Sequence, residues 1–117
     1  MFEAYGACHL LFNNAGVAAG VGKIWDQEPN DWYWCFGVNT FGVAHGVLAL
    51  VPRMLRSGEP GWIVNTSSAD GGLAPSPGTT VNSASKAAMT CFTESLAFRA
   101  LAWAGTPSLA RPSAGHR

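Results

Sequence analysis

The sequence has few charged residues and no excess of either sign. Its 117 residues include seven Lys and Arg against seven Asp and Glu, so the formal net charge is zero. Charged residues make up 12% of the chain, against roughly 25% in a typical globular domain. No basic stripe predicts nucleic-acid binding, and no acidic run predicts a charged partner. A surface this poor in charge predicts that more chain, or a partner, covers part of it.

The three cysteines follow no recognisable pattern. Cys8, Cys35 and Cys91 form no CxxC motif and have no ligand spacing with the histidines. We therefore predict reduced thiols, no disulfide and no metal site. An apolar leader is missing because Glu3 interrupts the start, and no uninterrupted run reaches the ~18 apolar residues of a membrane helix. These absences predict a cytoplasmic protein with no membrane partner.

The elements that are present alternate between strand and helix. Residues 1–7 resemble the end of a helix, and the apolar runs 9–13 and 62–68 predict strands buried on both faces. Residues 29–56 carry apolar side chains at three- and four-residue steps and predict one long helix; residues 80–103 predict another. The order βαβα predicts an α/β fold with a right-handed parallel crossover. Ligands of such sheets lie beyond the carboxyl ends of the strands.

Four short motifs follow these elements: NNAG at 13–16, VN at 38–39, IVNTSS at 63–68 and SASK at 83–86. Each alone is common, but their order, separations and structural contexts together resemble the short-chain dehydrogenase/reductase family. The resemblance covers residues 1–104 and implies part of a Rossmann-like, doubly wound parallel sheet. It also implies an oxidoreductase that moves a hydride between NAD or NADP and a small-molecule carbonyl or alcohol.

The resemblance also assigns four catalytic positions. Family members use an Asn, a Ser, a Tyr and a Lys as a proton relay, in which the serine polarises the substrate oxygen and the tyrosine exchanges the proton. Asn39, Ser68 and Lys86 match three of these positions, while Asn82 stands where the tyrosine would be. An amide accepts and donates hydrogen bonds but has no ionisable proton near neutral pH. We therefore expect the relay to lack its acid and the activity to be impaired or absent.

A second set of residues is implied for the cofactor: Asn14, Ala15, Gly16, Thr66 and Lys86. In the family this segment lies along the dinucleotide, where a glycine permits close approach, and the lysine holds the nicotinamide ribose. The same residues also have simpler interpretations. Asn82 suits a helix start, most helix lysines are solvated, and Ser68 could be a loop-forming hydroxyl. Nothing in the sequence selects NAD over NADP.

Two expected parts of a complete family member are missing from the sequence. The Gly-rich run at 16–22 opens no immediate helix, so we reject it as the phosphate-binding turn. Residues 105–117 lack apolar periodicity and predict a disordered tail. We therefore expect a fragment that lacks the N-terminal Gly-rich unit and the C-terminal strands. The alternatives are a non-catalytic interaction protein that pairs through helices 29–56 and 80–103 with itself, as a homo-oligomer, or with a full-length relative, or a truncated product without function.

Overall fold

The structure, a computed structural model, describes residues 2–105, with side chains over residues 4–97. The helices and strands, in chain order, are α1 (Phe2–Tyr5), β1 (Leu10–Asn13), α2 (Pro29–Phe36), α3 (Gly42–Ser57), β2 (Trp62–Asn65), α4 (Ala69–Gly72) and α5 (Thr80–Gly105). A short 3₁₀ turn precedes α2, and a π-helical turn, Gly37–Phe41, joins α2 to α3. From residue 106 onward, the predicted disordered tail lies outside the described residues.

The two strands pair in parallel, as the element order predicted. The register aligns Leu10 with Trp62 and Asn13 with Asn65. The pairing continues past the strand ends, since the Thr66 N–H donates to the Asn13 carbonyl at 3.2 Å. The Asn13 side-chain amide also donates to the side-chain oxygen of Asn65 at 2.8 Å. The carboxyl ends of both strands therefore meet at one edge, which is the partial α/β arrangement that the sequence predicted.

The predicted helix 29–56 is helical throughout but is not one regular α-helix. Pro29 opens it behind a capping box, in which Asp31 accepts the Glu28 backbone N–H at 3.2 Å. The chain then passes through the π-helical turn before α3 continues to Ser57. Gly58, at a φ of 70°, ends α3 in the left-handed conformation that glycine adopts without strain. The apolar period alone gave no sign of the π-helical turn.

The prediction that both sheet faces are buried is wrong for the described residues. Leu11 is buried on one face, and both α3 and α5 pack there. A Cβ on Gly46 of α3 would meet the Asn13 side chain, and the Asn65 amide donates to Thr93 of α5 at 2.9 Å. The opposite face is exposed at four aligned apolar residues: Leu10, Phe12, Trp62 and Val64. No described helix covers that face, so the apolar strand pattern exceeds what the described chain buries.

One helical segment of the described chain, Pro29–Ser57, is long and apolar enough to cross a membrane. Its most apolar window has a mean hydropathy of 1.5, and 17% of that window is buried. Only its length and composition meet the criterion, and the core helix of a soluble protein meets it as well. The segment also contains Asn39, which is fully buried against other parts of the chain.

Candidate active site

The carboxamide of Asn39 joins a loop to helix α5. Its oxygen accepts the Val17 N–H at 2.8 Å, and its nitrogen donates to the Val17 carbonyl at 2.8 Å. The same nitrogen lies 2.9 Å from the Ser85 hydroxyl and 3.2 Å from the Asn82 side-chain oxygen. An amide has two N–H protons, so these three acceptors share them. Asn39 is fully buried, and a buried polar side chain is tolerated only when it is hydrogen-bonded in this way.

The π-helical turn aims two consecutive residues at α5. The Thr40 hydroxyl donates to the backbone carbonyl of Ser85 at 2.9 Å, next to the bond between Asn39 and the Ser85 side chain. Ser85 is fully buried, and its hydroxyl also donates to the Asn82 backbone carbonyl at 2.7 Å. π-helical turns are rare and are frequent at functional sites. Here the turn fixes the orientation of the Asn39 amide.

Lys86 holds a nearly buried ammonium group beside a neutral partner. Its side chain is 7% exposed, and its Nζ donates to the Thr66 carbonyl at 3.0 Å. The bond between His9 and Glu59, at 2.6 Å, lies at the opposite ends of the strands and so places no charge beside Lys86. Burial lowers the pKa of Lys86 below its ordinary value because the charged form is poorly solvated there.

Lys86 and Asn39 converge on Gly16. A Cβ built on Gly16 would lie 3.2 Å from Lys86 Nζ and 3.6 Å from Asn39 Oδ1. The missing side chain therefore leaves a gap into which an ammonium and a carboxamide both face. Sequence analysis placed these three residues in one site, and the structure brings them together.

The other residues predicted for the cofactor lie at the same edge of the sheet. The Thr66 hydroxyl donates to the Asn14 side-chain oxygen at 3.1 Å, which ties the loops that follow β1 and β2. Asn14 and Ala15 line a cavity of 170 Å³ whose other walls include Phe12 and Val43. A cavity of this size admits a small group rather than a whole dinucleotide, since ligand pockets usually measure about 300–1,000 Å³.

Ser68 and Asn82 each keep one hydrogen-bonding function free of partners among the described side chains and backbone. The Ser68 hydroxyl accepts the Asp70 N–H at 3.2 Å and donates to no described acceptor. The Asn82 oxygen is engaged by Asn39, whereas its NH₂ group donates to no described acceptor. The structure thus joins Asn39, Asn82 and Lys86 through direct bonds or the Gly16 gap, but shows no bond from Ser68 to any of them.

The larger cavity lies elsewhere. It measures 630 Å³, is open to solvent, and is lined by the loop after α4 together with Thr80, Ala84 and Ala87 of α5. With about 100° per residue, these positions share one side of the helix, while Asn82 and Lys86 lie on the opposite side. A ligand in this cavity would therefore be separated from the Asn39 amide by the body of α5.

Three residues of the network were missed by the sequence analysis: Val17, Thr40 and Ser85. Ser85 lies inside the SASK motif, but the motif match drew attention to its lysine. The sequence did contain a weak signal for Ser85: serine is a poor helix former, and the hydroxyl of a serine inside a helix is usually hydrogen-bonded. Val17 contributes through its backbone, which no side-chain pattern could indicate.

Comparison with known proteins gives consistent matches. The family model of the short chain dehydrogenases matches residues 1–104. A CLA biosynthesis dehydrogenase/reductase of Lactiplantibacillus plantarum is 33% identical over 96 residues, which cover 82% of this chain and 33% of the relative. A short chain dehydrogenase/reductase from Burkholderia phymatum, solved in complex with NAD, is 50% identical with a TM-score of 0.77. The match covers 81% of this chain and 33% of that protein.

A metagenomic short-chain oxidoreductase solved with NADP is 30% identical with a TM-score of 0.76. The match covers 83% of this chain and 43% of that protein. The chain thus spans a third of the length of the curated relative it matches.

Proposed function

The chain belongs to the short-chain dehydrogenase family, and from this premise we propose that it carries part of the active site of an NAD- or NADP-dependent oxidoreductase. The proposed reaction transfers a hydride between the nicotinamide and a carbonyl or secondary alcohol. One observation supports it above the others: Lys86 Nζ and Asn39 Oδ1 face the same gap over Gly16. That gap lies beyond the carboxyl ends of the parallel strands, where ligands of such folds bind.

The residues around Gly16 fit the nicotinamide ribose. A Cβ at Gly16 would fill the space in front of Lys86, and a buried ammonium with one neutral acceptor retains donors for ribose hydroxyls. Asn14, Ala15 and Thr66 would lie along the same cofactor. When bound, the nicotinamide supplies the hydride acceptor or donor. Solved relatives bind NAD in one case and NADP in another, so both remain part of the proposal.

Two side chains would donate hydrogen bonds to the substrate oxygen. Ser68 accepts a hydrogen bond from Asp70, which leaves its own proton for a carbonyl oxygen. The NH₂ group of Asn82 is equally unengaged among the described residues. Both groups can polarise a carbonyl. Asn82 cannot deliver a proton to the developing alkoxide, and general acid–base help is typically worth ~10²–10⁴ in rate. We therefore propose that hydride transfer in this chain is impaired at its proton step.

The test is a chimera of a full-length relative. The matching third of the Burkholderia phymatum protein is replaced by residues 1–104 of this chain, with and without Asn82→Tyr. NADH and NADPH oxidation is followed with a panel of ketones and aldehydes. The expected gain from Asn82→Tyr is ~10²–10⁴ in kcat, with little change in KM for the cofactor.

A matched control uses Asn30→Tyr, an exposed position of α2. This variant should leave the rate of the chimera unchanged. A chimera that binds NADH but gains nothing from Asn82→Tyr would show that Asn82 does not occupy the relay position. A chimera that binds neither dinucleotide would reject the cofactor assignment.

A second function is favoured by the outer face of α2 and α3. Four exposed apolar residues recur at seven-residue steps along the sequence: Trp34 in α2, Phe41 in the π-helical turn between the helices, and Leu48 and Leu55 in α3. A seven-residue apolar repeat is the spacing by which helices pack side by side. The alternative proposal is therefore an interaction protein that pairs with a second copy through this stripe.

Mass measurement in solution separates this alternative from a monomer. A dimer that Leu48→Glu dissociates, and that Leu73→Glu does not, would support pairing through the stripe. Leu73 is the matched control because it is 88% exposed and lies in the loop after α4, away from the stripe. Equal masses for wild type and both variants would reject it.

The proposal includes a cytoplasmic location. Cys8, Cys35 and Cys91 are all free thiols, which suits a reducing compartment. Cell fractionation with an antibody against the chain tests this, and recovery with the membrane pellet after a salt wash would count against it.

A further inference from the structure

The Lys86 side chain combines burial with a shortage of partners. Only 7% of it is exposed, and its one hydrogen bond to a described residue goes to the Thr66 carbonyl. The groups that the structure places with it at this gap are neutral: the Thr66 carbonyl, the Gly16 backbone and the Asn39 carboxamide. A lysine held in such surroundings loses its proton more readily than a solvated one, and the neutral amine is the nucleophilic form.

The route to this amine runs over Gly16. Gly16 is exposed, and a Cβ there would come within 3.2 Å of Nζ. A carbonyl carbon can therefore approach the nitrogen where an ordinary side chain would block it. Asn82 lies four residues before Lys86, on the same side of α5. Its unengaged NH₂ group can donate a hydrogen bond to the carbonyl oxygen as charge develops on it.

From this geometry we propose that Lys86 is a covalent attachment site for small neutral aldehydes. The amine lone pair attacks the aldehyde carbon, and a proton moves from nitrogen to oxygen to form a carbinolamine. Loss of one water then leaves an imine between Lys86 and the aldehyde carbon, with no change of oxidation state. The step needs neither a dinucleotide nor hydride transfer, so it goes beyond the proposed oxidoreductase function.

The chain offers its own internal control, because its lysines are Lys23 and Lys86 alone. Lys23 is exposed, with its ammonium 5.7 Å from the centroid of the Trp25 ring. The full chain is incubated with butanal at about pH 7, and the imine is trapped with borohydride. Chymotryptic peptides analysed by mass spectrometry then give the adduct yield at each lysine and at the amino terminus. Burial lowers the pKa of Lys86, so a larger fraction of its side chain is the free amine at that pH. We therefore expect several-fold more adduct on Lys86 than on Lys23.

Two further measurements decide whether the folded site is responsible. The preference for Lys86 should vanish in the chain denatured with urea, where both lysines are solvated. Gly16→Ala should lower the yield at Lys86 and leave Lys23 unchanged. Gly78→Ala should alter neither, since a Cβ at Gly78 meets nothing within 4 Å.

An equal or greater yield on Lys23 in the folded wild-type chain would overturn the proposal. So would a preference for Lys86 that survives denaturation. These outcomes need no variant, so the test holds even if Gly16→Ala fails to fold. They also do not depend on the oxidoreductase proposal, which the chimera tests separately.

Discussion

Replacing Asn39 by alanine should be among the most damaging single changes to the described fold. The substitution removes one acceptor and two donor protons that are shared among Val17, Ser85 and Asn82. At a net ~1 kcal/mol per hydrogen bond, three bonds are worth ~3 kcal/mol. Because Asn39 is fully buried, water cannot take over its partners without opening the structure. We therefore expect Asn39→Ala to lower the free energy of unfolding by ~3 kcal/mol.

The assay is urea unfolding followed by tryptophan fluorescence. With an m-value of ~2 kcal/mol/M, the loss corresponds to a midpoint ~1.5 M lower. Asn30→Ala is the matched control, because Asn30 is exposed on the same helical segment and surface changes usually stay within ~0.5 kcal/mol. If Asn39→Ala leaves no folded protein, Ser85→Ala removes only part of the network and should cost ~1–2 kcal/mol. Midpoints for Asn39→Ala and Asn30→Ala within ~0.3 M of each other would refute the reasoning.

Two further predictions concern a glycine and a titration. Gly71→Ala should destabilise by ~2–5 kcal/mol, because its φ of 91° is strained for alanine and the new Cβ would collide with the Ser83 backbone carbonyl. Gly58→Ala, at a φ of 70° but in open space, should cost only ~1–2 kcal/mol; equal urea midpoints for the two would contradict the collision. For Lys86, whose folded pKa is lowered by burial, the unfolded chain binds more protons between that pKa and the ordinary lysine pKa of about 10.4. The free energy of unfolding should therefore rise with pH across this window. Lys86→Met should flatten that rise. The prediction is wrong if the urea midpoints of wild type and variant change by the same amount between about pH 7 and about pH 9.5.

Much of the fold followed from local patterns in the sequence. The short apolar runs predicted both strands to within three residues of their observed ends, since a run of apolar residues followed by polar ones marks where burial stops. Asn82 and Lys86 were predicted on one side of a helix because residues four apart are neighbours. The motif order also predicted the family, which the match over residues 1–104 confirmed.

Only the tertiary structure shows how the predicted site residues are arranged relative to one another. Asn39 bonds to residues 22, 43 and 46 positions away, and no period along the chain reports such separations. Ser68 shows the opposite case. The motif placed it in the relay, but its hydroxyl bonds locally to Asp70, and its catalytic role stays a prediction.

The sequence by itself determined the order of strands and helices, the edge at which the strand ends meet and the absence of an ionisable group at position 82. These depend on neighbouring residues and on side-chain chemistry, which a linear sequence contains. Only the tertiary structure decided that the π-helical turn buries Asn39 against α5, that no described helix covers one face of the sheet, and that the larger cavity lies on the other side of α5 from Asn39. Those features depend on how distant segments cross and pack, and a local pattern carries no information on that crossing.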